Sequence, residues 1–245
     1  MKDIQKQLSN LEVNPGDVIL VHSSMKALGT DKTPYEFLKL FQNYLTDKGT
    51  LLLPALTYDS VTTDKPVFSI KKSVPCVGIL PKTFMEMDGV WRSMHPTHSV
   101  FACGYYAEEI TNRHIGDNTP VGPNSPFMLL PEYNGKILFI GDILDSCTFM
   151  HGLEEIVNAP YTLNKKQTEY TLEDENGKAI KKKYFTHDFK GWEQEYTRIS
   201  KILTPPYIKT GKIINANCTV INAAKLKTAA IERFKDDIYY FVSPA

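Results

Sequence analysis

The sequence predicts an α/β protein with a mixed central sheet flanked by helices and a C-terminal subdomain made of a β-hairpin and a helix. Three observations support this. Residues 18–21, 50–56 and 137–140 are apolar and rich in aliphatic residues, as in strands buried on both faces. A helical pattern separates the first two runs, which is typical of a right-handed strand–helix–strand crossover. An Asn-Gly pair interrupts the alternating segment 167–184 and marks a hairpin turn.

Composition and charge limit the functional classes. The chain has 245 residues, 42% of them hydrophobic, and equal numbers of acidic and basic residues. We therefore expect a single domain over residues 1–245. Because the net charge is zero, we expect no electrostatic attraction to nucleic acid or to an anionic membrane. The polar start and the absence of a long apolar run predict a cytoplasmic protein. The four cysteines have no paired spacing, so we expect reduced thiols.

The first third of the chain gives clear local signals. Residues 4–11 have a helical pattern, residues 14–17 form a turn, and the strand 18–21 follows. The segment 33–36 is a capping box with proline at the first helical position. The helix that it starts is expected to pack on the sheet before the second strand, 50–56.

The middle of the chain is less regular. Residues 58–74 have no clear periodicity and are predicted to form a long loop, of the kind that often serves as a lid or a binding segment. We predict helices at 78–87 and 105–113 and a strand at 99–103, whereas 116–126 is too rich in glycine and proline to be regular.

The stretch 137–158 contains the main chemical candidates. Its strand breaks at Gly141 and restarts as a helix, on which Glu154 and Glu155 follow His151 at i+3 and i+4 and so share its face. Three residues could cap this helix: Asp145, Ser146 and Thr148. An imidazole beside carboxylates at a strand exit lies where open α/β sheets place their chemistry. The alternative is a solvated charge pair with an unrelated histidine.

The last third predicts a hairpin, which could act as a flap over about 165–188, followed by a helix at 189–203. Short strands are expected within 207–218, a terminal helix at 222–235 and an edge strand at 238–242.

Other polar residues have competing interpretations. His22, at the end of the first strand, is either a hydrogen-bonded core residue or part of a site. His95 and His98 could bind metal, but the proline between them breaks the helix that such a motif needs, so we predict no metal site. Arg92 could meet an anion. Cys147 could be a nucleophile, although an inert thiol suits its neighbours better.

Five motifs, taken in order, resemble the aminoglycoside 3-N-acetyltransferase family. The arginine–histidine core RSxHPxHS and the downstream TxxHxxE are the most specific. The similarity covers about 13–160 and, more loosely, the C-terminal third. The motifs are VHSSMKALG (21–29), GTLLLPALTYD (49–59), GVWRSMHPTHSVFACG (89–104), GPNSP (122–126) and FIGDILDSCTFMHGLEE (139–155).

The resemblance implies an antibiotic N-acetyltransferase-like fold that transfers acetyl directly from acetyl-CoA to an amine in a ternary complex, without metal. His151 would be the general base, and imidazole suits this role near neutral pH. Glu154 would orient the imidazole or the substrate ammonium, with support from Glu155, and His22 would lie near the thioester.

The resemblance also implies a set of coenzyme-binding residues, which are Ser23, Ser24, Met25, Lys26, Arg92, Ser93 and Ser99. A cationic acceptor would need local acidity, and the residues that we expect to provide it are Asp59, Asp145, Glu155 and Asp188.

The sequence is compatible with more than one acceptor, function and oligomeric state. Aminoglycosides are polycations that favour an acidic cleft, whereas this chain is neutral and has lysines in its lid region and hairpin. A nucleotide-linked or lipid-linked amino-sugar is therefore an alternative acceptor. A thioester hydrolase and a non-catalytic CoA-binding homologue are alternative functions, and a homodimer is an open alternative to a monomer.

Overall fold

The computed structural model describes residues 2–245. The strands are β1 (Val18–Ser23), β2 (Thr50–Pro54), β3 (Val67–Ser69), β4 (Trp91–Arg92), β5 (Val100–Gly104), β6 (Lys136–Ile140), β7 (Thr168–Glu173), β8 (Ala179–Tyr184), β9 (Trp192–Gln194), β10 (Ile208–Ile213), β11 (Ala216–Asn222) and β12 (Val242–Pro244). The helices are α1 (Lys2–Asn10), α2 (Met25–Leu28), α3 (Pro34–Leu45), α4 (Ile79–Met85), α5 (Ala107–Asn112), α6 (Pro126–Leu129), α7 (Thr148–Ile156), α8 (Ile199–Ile202) and α9 (Ala223–Asp236).

The central sheet has seven strands in the order β10-β11-β6-β1-β2-β5-β4. Its middle strands β6, β1 and β2 are parallel, and the flanking pairs are antiparallel. Alternate residues of β1 enter opposite cores, with Val18 and Leu20 on one face and Ile19 and Val21 on the other. Burial on both faces explains the continuous apolar runs. The predicted mixed sheet flanked by helices is confirmed.

Local capping signals position the crossover between β1 and β2. The hydroxyl of Thr33 accepts a hydrogen bond from the Glu36 amide, and the Glu36 carboxylate accepts one from the Thr33 amide. This is the predicted capping box, and it starts α3, whose Phe37 and Phe41 are buried against the sheet.

The predicted hairpin is present as β7 and β8, but it belongs to a three-stranded sheet. Strand β3 lies within the segment that we expected to be a structureless loop, and it pairs in parallel with β7. Phe68, Tyr170 and Tyr184 give this small sheet an apolar cluster of its own. The amide of Phe185 also donates a hydrogen bond to the carbonyl of Asn118. The small sheet is therefore attached to the rest of the chain at several points.

The helix expected at 189–203 is wrong. This segment contains β9, a 3₁₀ turn (Tyr196–Arg198) and the four-residue α8. Gly191 has a φ of +85°, which lies outside the helical region, and β9 pairs with β12. The edge strand expected at 238–242 shares only Val242 with β12, because residues 238–241 form a turn. Pairing between distant segments overrides the local helical preference here.

The topology places a switch point beside β1, where open α/β sheets form a crevice. From β1 the chain crosses to β2 on one side, while β6 lies on the other side of β1. Gly141 follows β6 with a φ of +106°, and a Cβ there would lie 3.3 Å from the Cβ atoms of both Ser24 and Ala27. Glycine thus lets the segments that follow β1 and β6 approach closely. Within residues 2–245, no helix has the length and apolarity needed to cross a membrane.

Candidate active site

A cleft of about 1010 Å³ opens at this crevice. Its lining comes from the segment after β1, the loop after β2, the start of α4, the start of α7 and the segment that follows β8. The polar residues in this lining include His22, Ser23, Ser24, Lys26, Tyr58, Thr97, His98, Asp145, Thr148, His151, Thr186, His187 and Gln194.

His151 reaches the cleft from the first turns of α7. Its side chain is 17% exposed, whereas that of Glu154 is fully buried behind it. The Nδ1 atom of His151 lies 2.8 Å from the Tyr196 hydroxyl and 3.4 Å from Oε2 of Glu154. The same hydroxyl donates a 2.9 Å hydrogen bond to Oε2 of Glu154. The imidazole is therefore anchored through Nδ1.

This network assigns a tautomer to His151. Tyr196 has a single hydroxyl hydrogen, which it gives to Glu154, so its oxygen accepts from Nδ1–H of His151. Burial and the Glu154 carboxylate raise the pKa of Tyr196 well above its ordinary value, so the phenol stays protonated. Within residues 2–245 we find no hydrogen bond to Nε2 of His151. In a neutral ring, that nitrogen carries the lone pair on the cleft side.

Two tyrosine hydroxyls lie against the buried carboxylate of Glu154. Tyr196 donates to one oxygen, and the Tyr161 hydroxyl lies 3.4 Å from the other oxygen and 3.2 Å from the Ile238 carbonyl. A buried carboxylate needs such donors because it has lost its water. The helix places His151 and Glu154 on one face, and the hydrogen bond that links their side chains comes from Tyr196, which lies 42 residues after Glu154.

Glu155 has a different partner from the one expected. Its Oε1 lies 2.8 Å from Nε2 of His187 and accepts a 2.9 Å hydrogen bond from the Val121 amide. Only 5% of its side chain is exposed, against 10% for His187. Burial raises the pKa of Glu155 to about 7. Glu155 therefore neither lines the cleft nor supports His151 directly.

The imidazole rings form a connected array. The ring of His151 lies 5.0 Å from that of His187, which lies 4.7 Å from that of His98. The array continues through His95, 6.0 Å from His98, to His114, 4.8 Å from His95. Burial, followed by repulsion from neighbouring histidines, holds the pKa values of His95, His98 and His187 well below the ordinary value. These three rings are neutral near pH 7.

The two histidines of the HPTH motif have structural partners. Nδ1 of His95 accepts hydrogen bonds from the amides of Thr97 and His98, and Nδ1 of His98 lies 2.8 Å from the Thr97 hydroxyl. Among residues 2–245, no three histidine, cysteine, aspartate or glutamate side chains are placed to bind a metal ion.

His22 lines the cleft at the end of β1. Its ring stacks on Phe139 of β6, with centroids 5.0 Å apart and an interplanar angle of 7°. Burial, together with a smaller contribution from His151, lowers the pKa of His22 to about 3, so the ring is neutral. Its buried Nε2 has no hydrogen-bond partner in the part of the chain that the structure describes.

The end of β1 and the residues that follow it form one wall of the cleft. Ser23, Ser24, Met25 and Lys26 all line the cleft. The Ser24 hydroxyl caps α2 by accepting a hydrogen bond from the Ala27 amide. Lys26 is exposed, so its ammonium is the accessible positive charge of this segment.

Arg92, Ser93 and Ser99 do not line the cleft, contrary to the expectation for coenzyme binding. The Arg92 guanidinium is buried between the rings of Phe68 and Phe101. It donates hydrogen bonds to the Ser99 hydroxyl and to the carbonyls of Ala55, Ile70 and Ser73. Burial lowers its pKa to about 9. The hydroxyl of Ser93 bonds His114 and the Val100 amide, so all three side chains hold loops together.

The acidic residues expected to meet the acceptor are dispersed. Asp145 lines the cleft, with one oxygen accepting from the Thr197 amide. Asp59 lies beside a smaller neighbouring depression, and Asp188 is exposed outside the cleft. Together with the burial of Glu155, this leaves Asp145 as the acidic residue of the predicted set that reaches the cleft.

The predicted N-caps of α7 are also wrong. The helix starts at Thr148 after Cys147, which makes no side-chain capping bond. Asp145 and Ser146 lie in a preceding 3₁₀ turn, and the Ser146 hydroxyl donates to the Ile143 carbonyl. Burial raises the pKa of Cys147 to about 12, which agrees with the inert-thiol interpretation.

Sequence reasoning missed Tyr196, Tyr161 and His187. Tyr196 is 45 residues from its partner His151, and it lies in the segment wrongly predicted as a helix. His187 follows the hairpin and is 32 residues from Glu155. The histidine content was the available signal, since four of the six histidines line the cleft, and the other two, His95 and His114, extend the ring array behind it.

Comparison with known proteins adds independent findings. A family model described as "Aminoglycoside 3-N-acetyltransferase" matches residues 20–235. Aminoglycoside N(3)-acetyltransferase IV from Salmonella sp is 32% identical, over 74% of this chain and 67% of that protein.

Solved structures share the fold. A mutant of the aminoglycoside acetyltransferase AAC(3)-IVa, in complex with gentamicin, superposes with a TM-score of 0.84 and 26% identity, covering 99% of this chain and 91% of that one. AAC-IIIb, solved as a binary complex with CoASH, superposes with a TM-score of 0.81 and 22% identity, covering 100% and 98%. The latter similarity concerns the fold alone.

Proposed function

Because the chain belongs to the aminoglycoside 3-N-acetyltransferase family, a family of acyltransferases, we propose that it transfers acetyl from acetyl-CoA to an amino group of an aminoglycoside or a related amino-sugar. His151 is the general base, and the transfer is direct, within a ternary complex. The observation that carries this proposal is the anchored imidazole, because Tyr196 holds Nδ1 while Nε2 is left to the cleft.

The reaction follows from that geometry. The amine nitrogen attacks the thioester carbonyl carbon while Nε2 of His151 takes its proton. The carbon–sulfur bond then breaks, and His151 returns the proton to the leaving thiolate. An imidazolium forms between these steps, and Glu154 stabilises it in two ways. Its carboxylate lies 3.4 Å from Nδ1 of His151, and it also accepts the hydrogen bond from Tyr196, which contacts the same nitrogen.

The coenzyme side of the cleft is proposed to be the segment after β1. Lys26 supplies an accessible charge for the phosphates, and Ser23, Ser24 and Met25 contact the pantetheine. His22, neutral and at the wall of the cleft, is proposed to lie near the thioester. The solved complex of AAC-IIIb with CoASH is consistent with a coenzyme site in this fold.

The charge of the cleft favours a second class of acceptor. Of the residues described as lining it, Asp145 is the sole carboxylate and Lys26 the sole lysine or arginine. A polycation such as the gentamicin of the AAC(3)-IVa complex gains from several carboxylates. An amino-sugar with one amino group, carried on a nucleotide or lipid, suits this balance and is our second candidate.

The test is acetylation of an acceptor panel by wild type and His151→Ala. The panel contains gentamicin-type aminoglycosides, glucosamine and nucleotide-linked amino-sugars. We expect product with wild type and a kcat lower by on the order of 10²–10⁴ in the variant. His114→Gln, outside the cleft lining, is the matched control for loss of a buried imidazole.

Other outcomes discriminate the rival functions. Release of free thiol from acetyl-CoA without any amine would indicate a thioester hydrolase. Calorimetric binding of CoA with no product from any amine would indicate a binding protein. Near-normal turnover by His151→Ala would reject the assigned base.

A further inference from the structure

A second imidazole–carboxylate pair lies beside the general base. His187 lines the cleft, and its ring lies 5.0 Å from that of His151 at an angle of 63°. Its Nε2 is held 2.8 Å from Oε1 of Glu155, whose other oxygen is buried without a hydrogen-bond partner among the described residues. Nδ1 is thus the nitrogen of His187 left for the cleft.

The proposed reaction needs a second proton acceptor. An alkyl amine is an ammonium ion near neutral pH and cannot attack a carbonyl in that form. Ammonium and thioester give amide, thiol and one free proton, so two N–H bonds of the ammonium must break. His151 moves one proton to the thiolate, and the other must leave the ammonium before attack.

We propose that His187 and Glu155 form a second base that deprotonates the ammonium form of the acceptor. An N–H bond of the ammonium breaks, its electron pair stays on nitrogen, and the proton binds Nδ1 of His187. The Nε2 proton of His187 passes to Glu155, which ends as a neutral acid hydrogen-bonded to Nε2. The proton later returns to solvent by the same route. This inference rests on the proposed function and assigns the substrate class as alkyl ammonium.

The surroundings of the pair support this direction of transfer. Burial raises the pKa of Glu155 to about 7, so its carboxylate is a stronger base than usual near neutral pH. Burial and His151 hold the pKa of His187 well below its ordinary value, so the ring passes the proton on rather than keeping it. The ring of His98 also packs against His187, with centroids 4.7 Å apart, and burial followed by repulsion from His187 keeps it neutral.

Two further groups face Glu155. Asp117 has its pKa raised by burial, and repulsion from Glu155 contributes. The Val121 amide donates to Oε1 of Glu155, which fixes that oxygen against His187. Glu155 acts through His187 and is therefore a positioning residue, whereas His187 itself contacts the acceptor.

The experiment compares acceptors of different basicity with wild type, His187→Gln, Glu155→Gln and His151→Ala. One amine has a pKa above the assay pH, and the other has a pKa below it. For His187→Gln we expect kcat/KM to fall on the order of 10- to 100-fold with the basic amine and by a clearly smaller factor with the neutral one. Raising the pH above the pKa of the basic amine should restore its rate.

Glu155→Gln gives a second test, since its amide oxygen can still accept from Val121 but cannot take up a proton. We expect the same selective loss and a shift in the pH profile for the basic amine. Equal losses with both amines, or no loss with either, would overturn the proposal. Failure of wild type to acetylate any amine would instead reject the proposed function, and His151→Ala should lose activity with both amines.

Discussion

The hydroxyl of Tyr196 lies 2.8 Å from Nδ1 of His151, closer than the carboxylate of Glu154, which lies 3.4 Å away. The orientation of the imidazole is thus set mainly by a neutral phenol, which is itself fixed by its bond to the acid. Glu154 is therefore close enough to stabilise a protonated His151, although Tyr196 is the nearer hydrogen-bond partner of the ring.

Tyr196→Phe should lower kcat about tenfold, because one hydrogen bond that fixes the tautomer of His151 is lost. The KM for acetyl-CoA should stay within about twofold, since Tyr196 does not line the cleft. Steady-state kinetics would measure both. Tyr161→Phe is the matched control, because its hydroxyl reaches Glu154 but not His151, and an equal loss in both variants would contradict this role.

Arg92→Met should destabilise the protein by about 3 kcal/mol, because the hydrogen bonds of a buried guanidinium are lost and the half-buried carbonyls of Ile70 and Ser73 lose a donor. The KM for acetyl-CoA should be unchanged in the protein that remains folded. Urea denaturation and kinetics would separate the two effects. Lys26→Met should do the reverse, with stability within about 0.5 kcal/mol of wild type and a higher KM. A raised KM in Arg92→Met alone would restore its expected coenzyme role.

Gly152→Ala should destabilise the protein by about 1–3 kcal/mol through overpacking. Gly152 lies next to His151 on α7, and an added Cβ would clash with the Met128 side chain and lie 2.8 Å from Cγ1 of Val121. Thermal unfolding would measure the loss. Gly116→Ala is the control, because its nearest contact would be Nδ2 of Asn124 at 3.4 Å, and equal stability of the two variants would contradict the packing argument.

Acidification should destabilise the fold. The pKa values of His22 and His114 are lowered to about 3 by burial, and those of three further histidines are also depressed. From the ordinary value of about 6.5 down to about 3, the unfolded chain binds more protons, so stability falls by up to about 1.4 kcal/mol per pH unit for each such group.

Glu155 acts in the opposite sense. Its raised pKa makes it favour the folded state as pH falls from about 7, and the raised pKa of Asp117 acts in the same sense, but these carboxyls oppose five histidines with lowered pKa values. Urea midpoints at pH 7.5, 6.5 and 5.5 would test the balance. His114→Gln, with one buried imidazole fewer, should show a shallower pH dependence, and a slope equal to that of wild type would contradict this account.

Local sequence information determined the framework of the fold and one half of the active site. The apolar runs of β1, β2 and β6 predicted buried strands, since burial on both faces leaves no polar alternation. The capping box at Thr33 predicted the start of α3, and the Asn-Gly pair predicted the hairpin turn, because each signal depends only on residues that are close in sequence. The spacing of His151 and Glu154 places them together because both lie on one helix.

Tertiary structure decided what those residues contact. Tyr196 and His187 reach the site from segments with no local signal for it, and pairing of β9 with β12 displaced the helix predicted there. Arg92 has a buried environment that its motif did not indicate. Short-range spacing is a property of the chain itself, whereas burial and hydrogen-bond partners exist only after distant segments pack together, which is why the second half of the site had to be found in the structure.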